Sequence, residues 1–428
     1  MLDLMTLILQ IVVIIAASRG VAVLFQRMHQ PKVIGEMFAG IMLGPSLFGW
    51  LAPHLSASLF PVASLGYLNA LSQVGIVIYM FLVGLALNPK ELRDRGHVAV
   101  LTSHVSIIAP FVLGATLALF LYPRLSDDSV SFIGFALFMG AAMSITAFPV
   151  LARILTDRNM LGTSLGALAI ACAAVDDVTG WCILAYIVVI IRVHQHAALP
   201  MWAMLAGLGV FLAFMLYPGK RLLAGFGRIY KREEGHLSEN VVALMVVIVL
   251  GSALITEKLG LHLLFGSFLA GVIMPKDAGF VRHVLEKFEA VTVVILLPLF
   301  FAFTGLRTSI GLIAGAGMWM FFGAILVVAI TGKLCGSMLA ARAAGTRWRE
   351  AAGLGILMNT RGLMELVILN IGLDIGVISP TLFSMMVLMA LATTFMTAPL
   401  LEWVYPLRLI RQQKAEARGE EVDTAQTA

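Results

Sequence analysis

Thirteen apolar runs follow one another along the chain, at about residues 5–26, 31–50, 68–87, 98–122, 130–155, 162–191, 200–219, 239–257, 260–275, 289–306, 316–341, 351–373 and 379–403. About twenty predominantly apolar residues are what an α-helix needs to cross a bilayer, where the chain must satisfy its own backbone. The fold class expected is therefore all-α and polytopic, with thirteen transmembrane helices. The ninth run is short and could re-enter or tilt. Composition agrees: 60% of the 428 residues are hydrophobic and 12% charged, about half the charge of an ordinary soluble domain. The 40 glycines suit helices that pack closely in lipid. The net charge of +5 is no sign of nucleic acid, because the bases sit in short loops. The first run lacks a basic leader and a small-residue cleavage site, so it reads as a retained helix. Cys172, Cys182 and Cys335 lie inside apolar runs, without metal-ligand spacing, and read as unpaired small hydrophobes.

The bases set an orientation. Loops after even-numbered runs hold only Arg124, Arg192, Lys258 and Arg307, and Arg19, Lys333 and Arg361 fall within runs. All other lysines and arginines, Lys90, Arg93 and Arg95 among them, follow odd-numbered runs. The positive-inside rule then puts the N-terminus outside and the C-terminus in the cytoplasm, in an inner (plasma) membrane. Arg19 is near enough to the inner end of its run to snorkel.

The two halves resemble each other. Gly35-Glu36-Met37-Phe38-Ala39-Gly40 matches Gly266-Ser267-Phe268-Leu269-Ala270-Gly271, and Phe81-Leu82-Val83-Gly84-Leu85 sits like Ala302-Phe303-Thr304-Gly305-Leu306. The offset is seven runs, an odd number, so the second half would be inserted upside down. The expected architecture is one transmembrane domain over 1–403. Inverted six-helix repeats would occupy about 1–192 and 239–403, with a linker helix at about 200–219 and a short polar cytoplasmic tail at 404–428. Inverted repeats are a secondary-transporter architecture with a site near the midplane, built on interrupted helices. Pro149 should break the fifth run, with Ser144 and Thr146 covering the freed backbone groups. Asn359, Thr360 and Gly362 suggest an unwound stretch at the matching place in the twelfth run.

Asp176 and Asp177 lie far from both ends of the sixth run, where a charge costs at least about 2.5 kcal/mol. Adjacent helical residues point about 100° apart, so the two acids cannot do the same job. Lys333, flanked by small residues, is the natural partner for one of them. A buried carboxylate is also a group for which a proton and a small cation compete. Arg361 and Glu365 have i, i+4 spacing and read either as a structural ion pair or as part of an ion path. Glu36 and His104 read more simply as packing or surface residues.

The stretches VDDV at 175–178, SITAFPVLARIL at 144–155, GKLCG at 332–336 and MNTRGLMELVILNIG at 358–372 resemble the monovalent cation:proton antiporter-2 family. GEMFAGIMLGPSLFG at 35–49 and LPLFFAFTGLRT at 297–308 fit the same pattern. The likeness is greatest to the cation/H+ exchangers of the plant CHX-like and bacterial Kef- and NapA-like group. The resemblance implies an NhaA- or NapA-like fold with two crossing broken helices, a dimerisation domain and a mobile core, usually as a homodimer. It implies that Asp177 binds the ion, that Asp176 pairs with Lys333, and that Thr146 and neighbouring backbone help coordinate the ion. The acid pair marks the branch usually read as electrogenic. The short tail argues against control by a soluble domain on this chain.

The expected function is monovalent cation/H+ antiport, K+ or Na+, by elevator-type alternating access, with no cofactor, no enzymatic activity and no nucleic-acid partner. No glycine-rich loop ending in Lys-Ser or Lys-Thr suggests a primary pump. The rivals are a cation- or proton-coupled organic anion symporter on a related fold and a non-transporting membrane ion sensor.

Overall fold

The computed structural model describes residues 4–87, 96–126, 130–158, 160, 163–194, 201–259 and 262–406. Lys90, Arg93 and Arg95 of the orientation argument, and the tail from 407 to 428, lie outside the described residues. Every regular element among the described residues is helical. The helices that matter below are α1 (Leu4–Arg27), α2 (Lys32–Leu43), α3 (Val62–Ala86), α4 (Gly96–Leu125), α5 (Phe132–Ser144) and α6 (Phe148–Asp157). They continue as α7 (Ser164–His194), α8 (Met201–Phe214), α9 (Lys220–Arg232), α10 (Glu239–Lys258), α11 (Leu263–Ile273) and α12 (Ala278–Val291). The last are α13 (Leu297–Leu306), α14 (Ala316–Ile330), α15 (Gly336–Ala343), α16 (Trp348–Met358), α17 (Leu363–Asp374) and α18 (Pro380–Val404).

Among the described residues eleven helical stretches are long and apolar enough to cross a membrane, or twelve when the bent pair α16 and α17 counts as one span. The ninth expected run is α11, whose 11 residues are too few to cross alone. The seventh run does not stop near residue 219. It passes through a π-helical turn at Met215–Gly219 into α9. Pro218, which has no N–H, sits in that turn, and the basic residues beyond it are good helix formers. Two further π-helical turns, Thr292–Leu296 and Thr331–Cys335, join α12 to α13 and α14 to α15. The second carries Lys333.

The chain forms two compact units, and each draws on both halves of the sequence. Among the described residues the first comprises those from 4 to 21, 36 to 87 and 181 to 311, and the second those from 22 to 35, 96 to 180 and 312 to 406. In lipid no hydrophobic force pulls helices together, so small residues that admit backbone contact decide where they cross. In the first unit α2 meets α13 at Gly40 and Gly305, and α3 meets α11 at Gly84 and Gly271. A Cβ on any of the four would run into backbone of the facing helix. Lys276 clasps the second crossing, donating to the carbonyls of Gly84 (2.8 Å), Leu85 (2.8 Å) and Gly271 (3.0 Å) at the C-terminal ends of α3 and α11. Arg19 has a partner within the protein. It donates to Glu36 at 3.2 Å and to the Val293 carbonyl at 2.9 Å, which also makes Glu36 a paired residue. An arginine beside a buried carboxylate gains more from that charge than from reaching for water.

In the second unit, α4 and α5 pack through Gly114 and Gly140, each against backbone of the other helix. A buried apolar cluster with Leu151, Leu155, Leu354, Leu357 and Leu401 holds α6, α16 and α18 together. This unit carries the aspartate pair.

Candidate functional site

Pro149 does interrupt its span. α5 ends at Ser144, Ile145–Ala147 is unwound, and α6 starts at Phe148 with Pro149 in its first turn, where a missing N–H does no harm. The twelfth run is broken as well: α16 and α17 are separated by residues 359–362 and bend by 41°. The two breaks meet. The Ala147 amide donates to the Thr360 carbonyl at 3.0 Å, and Thr146 Oγ1 donates to the Met358 carbonyl at 2.9 Å.

A helix that stops in the membrane leaves its last carbonyls exposed and its dipole uncompensated. At the end of α5 cations do this work, not the nearby hydroxyls. Arg361 donates to the carbonyls of Ala142 (2.9 Å) and Met143 (2.6 Å), and Lys333 donates to that of Ser144. Ser144 Oγ turns instead to the carbonyls of Gly140 (2.6 Å) and Ile107 (3.0 Å). Arg361 also binds Glu365 at 2.6 Å, both side chains fully buried. Arg361 precedes α17, so the pair forms without an unbroken helix between them. Thr394 of α18 fixes the Arg361 backbone from both sides, accepting from its N–H (2.9 Å) and donating to its carbonyl (2.7 Å).

The two aspartates have opposite surroundings, although both are 0% exposed. Asp176 accepts from four side chains. Lys333 Nζ reaches Oδ2 at 2.7 Å, Thr146 Oγ1 reaches it at 2.9 Å, and Ser106 Oγ lies 2.9 Å from Oδ2 and 3.1 Å from Oδ1. Ser103 Oγ donates to Oδ1 at 2.7 Å. Lys333, Ser103 and Ser106 donate to it, and the one hydroxyl hydrogen of Thr146 is shared between Oδ2 and the Met358 carbonyl, so Asp176 serves as an acceptor. Neither oxygen of Asp177 has a hydrogen-bond partner. The Phe148 amide at the start of α6 acts on it electrostatically without making a hydrogen bond to it. The helix turn of about 100° between neighbours produces the difference, sending one carboxylate into a nest of donors and the other away from it.

Asp176, Thr146, Ser144, Lys333, Arg361 and Glu365 thus come together with Asp177 in one buried region of the second unit. Thr146 is spent on Asp176 and the Met358 carbonyl, and Ser144 on backbone carbonyls. Asn359 Oδ1 and Thr360 Oγ1, at the α16–α17 break, are buried without partners. His104 is on an exposed side of α4. None of the three cysteines forms a disulfide. Among the described residues no group of three or more His, Cys, Asp or Glu could hold a metal ion. A cation taken up here would meet Asp177 and neutral oxygens. Ser103 and Ser106, 73 and 70 residues before Asp176, carry no motif of their own.

Residues 11–403 match the family described as sodium/hydrogen exchanger, transmembrane. The Na+/H+ antiporter NhaS4 of Synechocystis sp. is 46% identical over 405 residues, covering 94% of this chain and 98% of that protein. Cation/H+ antiporter 17 of Arabidopsis thaliana is 40% identical over 403 residues (93% and 48%). K+/H+ antiporter 1 of Saccharomyces cerevisiae is 32% identical over 388 residues (89% and 44%), so the chain spans about half the length of these plant and yeast relatives. The sodium proton antiporter MjNhaP1 of Methanocaldococcus jannaschii shares the fold, with a TM-score of 0.66 at 14% identity over 96% of this chain and 99% of that one. The chain therefore belongs to the sodium/hydrogen exchanger family.

Proposed function

We propose that the chain is a secondary active monovalent cation/H+ antiporter, with K+ or Na+ as the cation, in which a proton and the cation compete for Asp177. One observation carries this reading: Asp177 is a fully buried carboxylate with both oxygens unpartnered. An unpaired charge in that place costs several kcal/mol, so the group exists to be neutralised by something that comes and goes. A proton does it covalently and a cation does it by coordination, and one carboxylate cannot hold both well. Relatives named as Na+/H+ and K+/H+ antiporters support the reaction and leave the cation open between Na+ and K+.

Exchange would be electrogenic if the Asp176–Lys333 pair released a second proton when the cation binds. Access would alternate by an elevator-like movement of the unit that carries Asp177. Inverted repeats support such a movement, and the glycine crossings support the repeats. Gly40 and Gly84 match Gly271 and Gly305 in the sequence, and the contacts Gly40–Gly305 and Gly84–Gly271 exchange under that match. The repeat reading makes the short α11 the counterpart of α2 and so the thirteenth helix of the fold, although it does not span the membrane alone. A homodimer in the inner membrane with its C-terminus in the cytoplasm is the matching cellular arrangement, supported by the distribution of bases and by the family.

The test is purified protein in liposomes containing a pH dye, with K+ or Na+ added outside. A cation-evoked pH change that Asp177→Asn abolishes is the expected result, and the larger response names the ion. Folded wild-type protein that answers neither cation overturns the reading.

A further inference from the structure

Helix α4 contributes three short contacts to the Asp176–Lys333 pair, and the Ser106 hydroxyl also accepts from Lys333 Nζ at a longer 3.3 Å. Ser103 and Ser106 are three residues apart and share one face of the helix. Both are fully buried, and their hydroxyls donate to Asp176 at 2.7 Å and 2.9 Å. The third contact is the Ser106 carbonyl, which accepts from Lys333 Nζ at 2.9 Å. That carbonyl is free for a covalent reason. In an α-helix it would accept from the N–H of residue 110, and Pro110 lies inside α4 with no N–H to give. Gly332 presses on the same proline, since a Cβ there would meet Pro110 Cα at 2.8 Å. The close approach brings Lys333 to the carbonyl that the proline vacates.

We infer that Ser103, Ser106 and Pro110 are positioning residues that set how tightly the Asp176–Lys333 pair holds its proton. The hydroxyls and the carbonyl act in opposite directions. The hydroxyls hold the carboxylate most strongly when a neutral lysine no longer offsets its charge, so they make release of the lysine proton easier. The carbonyl freed by Pro110 stabilises only the ammonium, so it makes release harder. The other titratable or charged groups acting on the pair are Asp177 and Cys172 of α7, and Arg361 and Glu365 at the α16–α17 break. His104 is on the exposed side of α4. This inference rests on the antiport reading, in which the pair gives up and regains a proton in each cycle.

The test reads the pH at which cation-evoked proton movement in liposomes reaches half its maximum. Ser103→Ala with Ser106→Ala removes two short donors from the carboxylate and only one long acceptor from the ammonium, so the midpoint moves to higher pH. Pro110→Ala restores an amide that claims the Ser106 carbonyl, and the midpoint moves to lower pH. Each shift is expected at about one pH unit, the size of one charge-assisted hydrogen bond. Ser103→Thr keeps a hydroxyl and leaves the midpoint near wild type. A structural disturbance lowers the rate without displacing midpoints in opposite directions. Unshifted midpoints, or shifts of the same sign, overturn the inference. If the double alanine variant does not fold, Pro110→Ala decides alone, because alanine favours a helix interior over proline. Wild-type protein without cation-evoked proton movement removes the antiport reading and this one together. Wild-type exchange that Asp177→Asn abolishes, with unmoved midpoints in the α4 variants, removes this one only.

Discussion

Gly84→Ala tests whether the crossing of α3 and α11 is held by backbone contact. A Cβ on Gly84 would fall well inside 3.0 Å of the Phe268 carbonyl oxygen and at 3.0 Å from the Val272 nitrogen. These atoms are backbone of α11, so no side-chain rotation gives relief and the helices must part. Overpacking of this kind costs ~1–3 kcal/mol. Alanine returns ~0.5–1 kcal/mol of helix propensity, which leaves a net loss centred on ~1 kcal/mol and no more than ~2.5 kcal/mol. Gly271→Ala faces the same crossing, with its Cβ 2.7 Å from the Leu85 nitrogen, and should behave alike. The two changes together should cost less than their sum, because helices already parted by the first methyl accept the second. Gly251→Ala in α10 is the control, since nothing lies within 4 Å of its Cβ, and it should gain ~0.5–1 kcal/mol. The assay is the surviving monodisperse fraction of detergent-solubilised protein after heating. Gly84→Ala should melt below wild type and Gly251→Ala at or above it. A Gly84→Ala protein as stable as the control would refute the argument that this crossing is a backbone contact.

Lys276 lies in the loop between α11 and α12, where burial pushes its ammonium down from 10.5 to about 7. The native state then releases this proton near pH 7 while the unfolded chain keeps it to about 10.5, so stability should rise with pH across that window, and Lys276→Gln should lose the rise. Melting curves that stay parallel in wild type and variant between pH 7 and 9 would show that the three carbonyls keep the ammonium charged throughout. Glu365→Gln leaves Arg361 buried beside two carbonyls and a neutral amide, and removing one partner of a buried pair costs about 3–5 kcal/mol. That loss should appear as a lower melting temperature, and an unchanged melt would mean that the α5 carbonyls alone satisfy the guanidinium.

Span positions, the break at Pro149 and the partnership of Lys333 with one aspartate were legible because each follows from a local rule. Apolar runs of a fixed length mark helices, a proline ends one, and an intramembrane charge needs a partner. The groups that close the site were less legible. Ser144 and Thr146 looked like the caps of α5 because they are close in sequence, but Arg361 and Lys333, about 190–220 residues away, take its last carbonyls. A hydroxyl supplies one hydrogen, whereas a cation supplies several and also offsets the helix dipole. The partner of Arg19 is hidden for a related reason: its place near the end of an apolar run is local information, and the presence of Glu36 beside it is not.

The aspartate pair shows where such local reading runs out. Val175, Asp176, Asp177 and Val178 form a nearly symmetric stretch, and nothing within it says which acid is filled and which is open. The answer comes from Ser103 and Ser106 on α4, Thr146 at the α5–α6 break and Lys333 in a π-helical turn. A serine in an apolar helix is common, because it can bond within its own helix at little cost, so neither serine stands out alone. The signal that could have found them is relational. Ser103 and Ser106 share a face, and Pro110 stands four residues after Ser106, so one turn of α4 presents two hydroxyl donors and one unclaimed carbonyl. A segment that both donates and accepts suits an ion pair better than it suits either ion alone. That is the environment of Asp176 and Lys333, and it leaves Asp177 as the carboxylate still short of a partner.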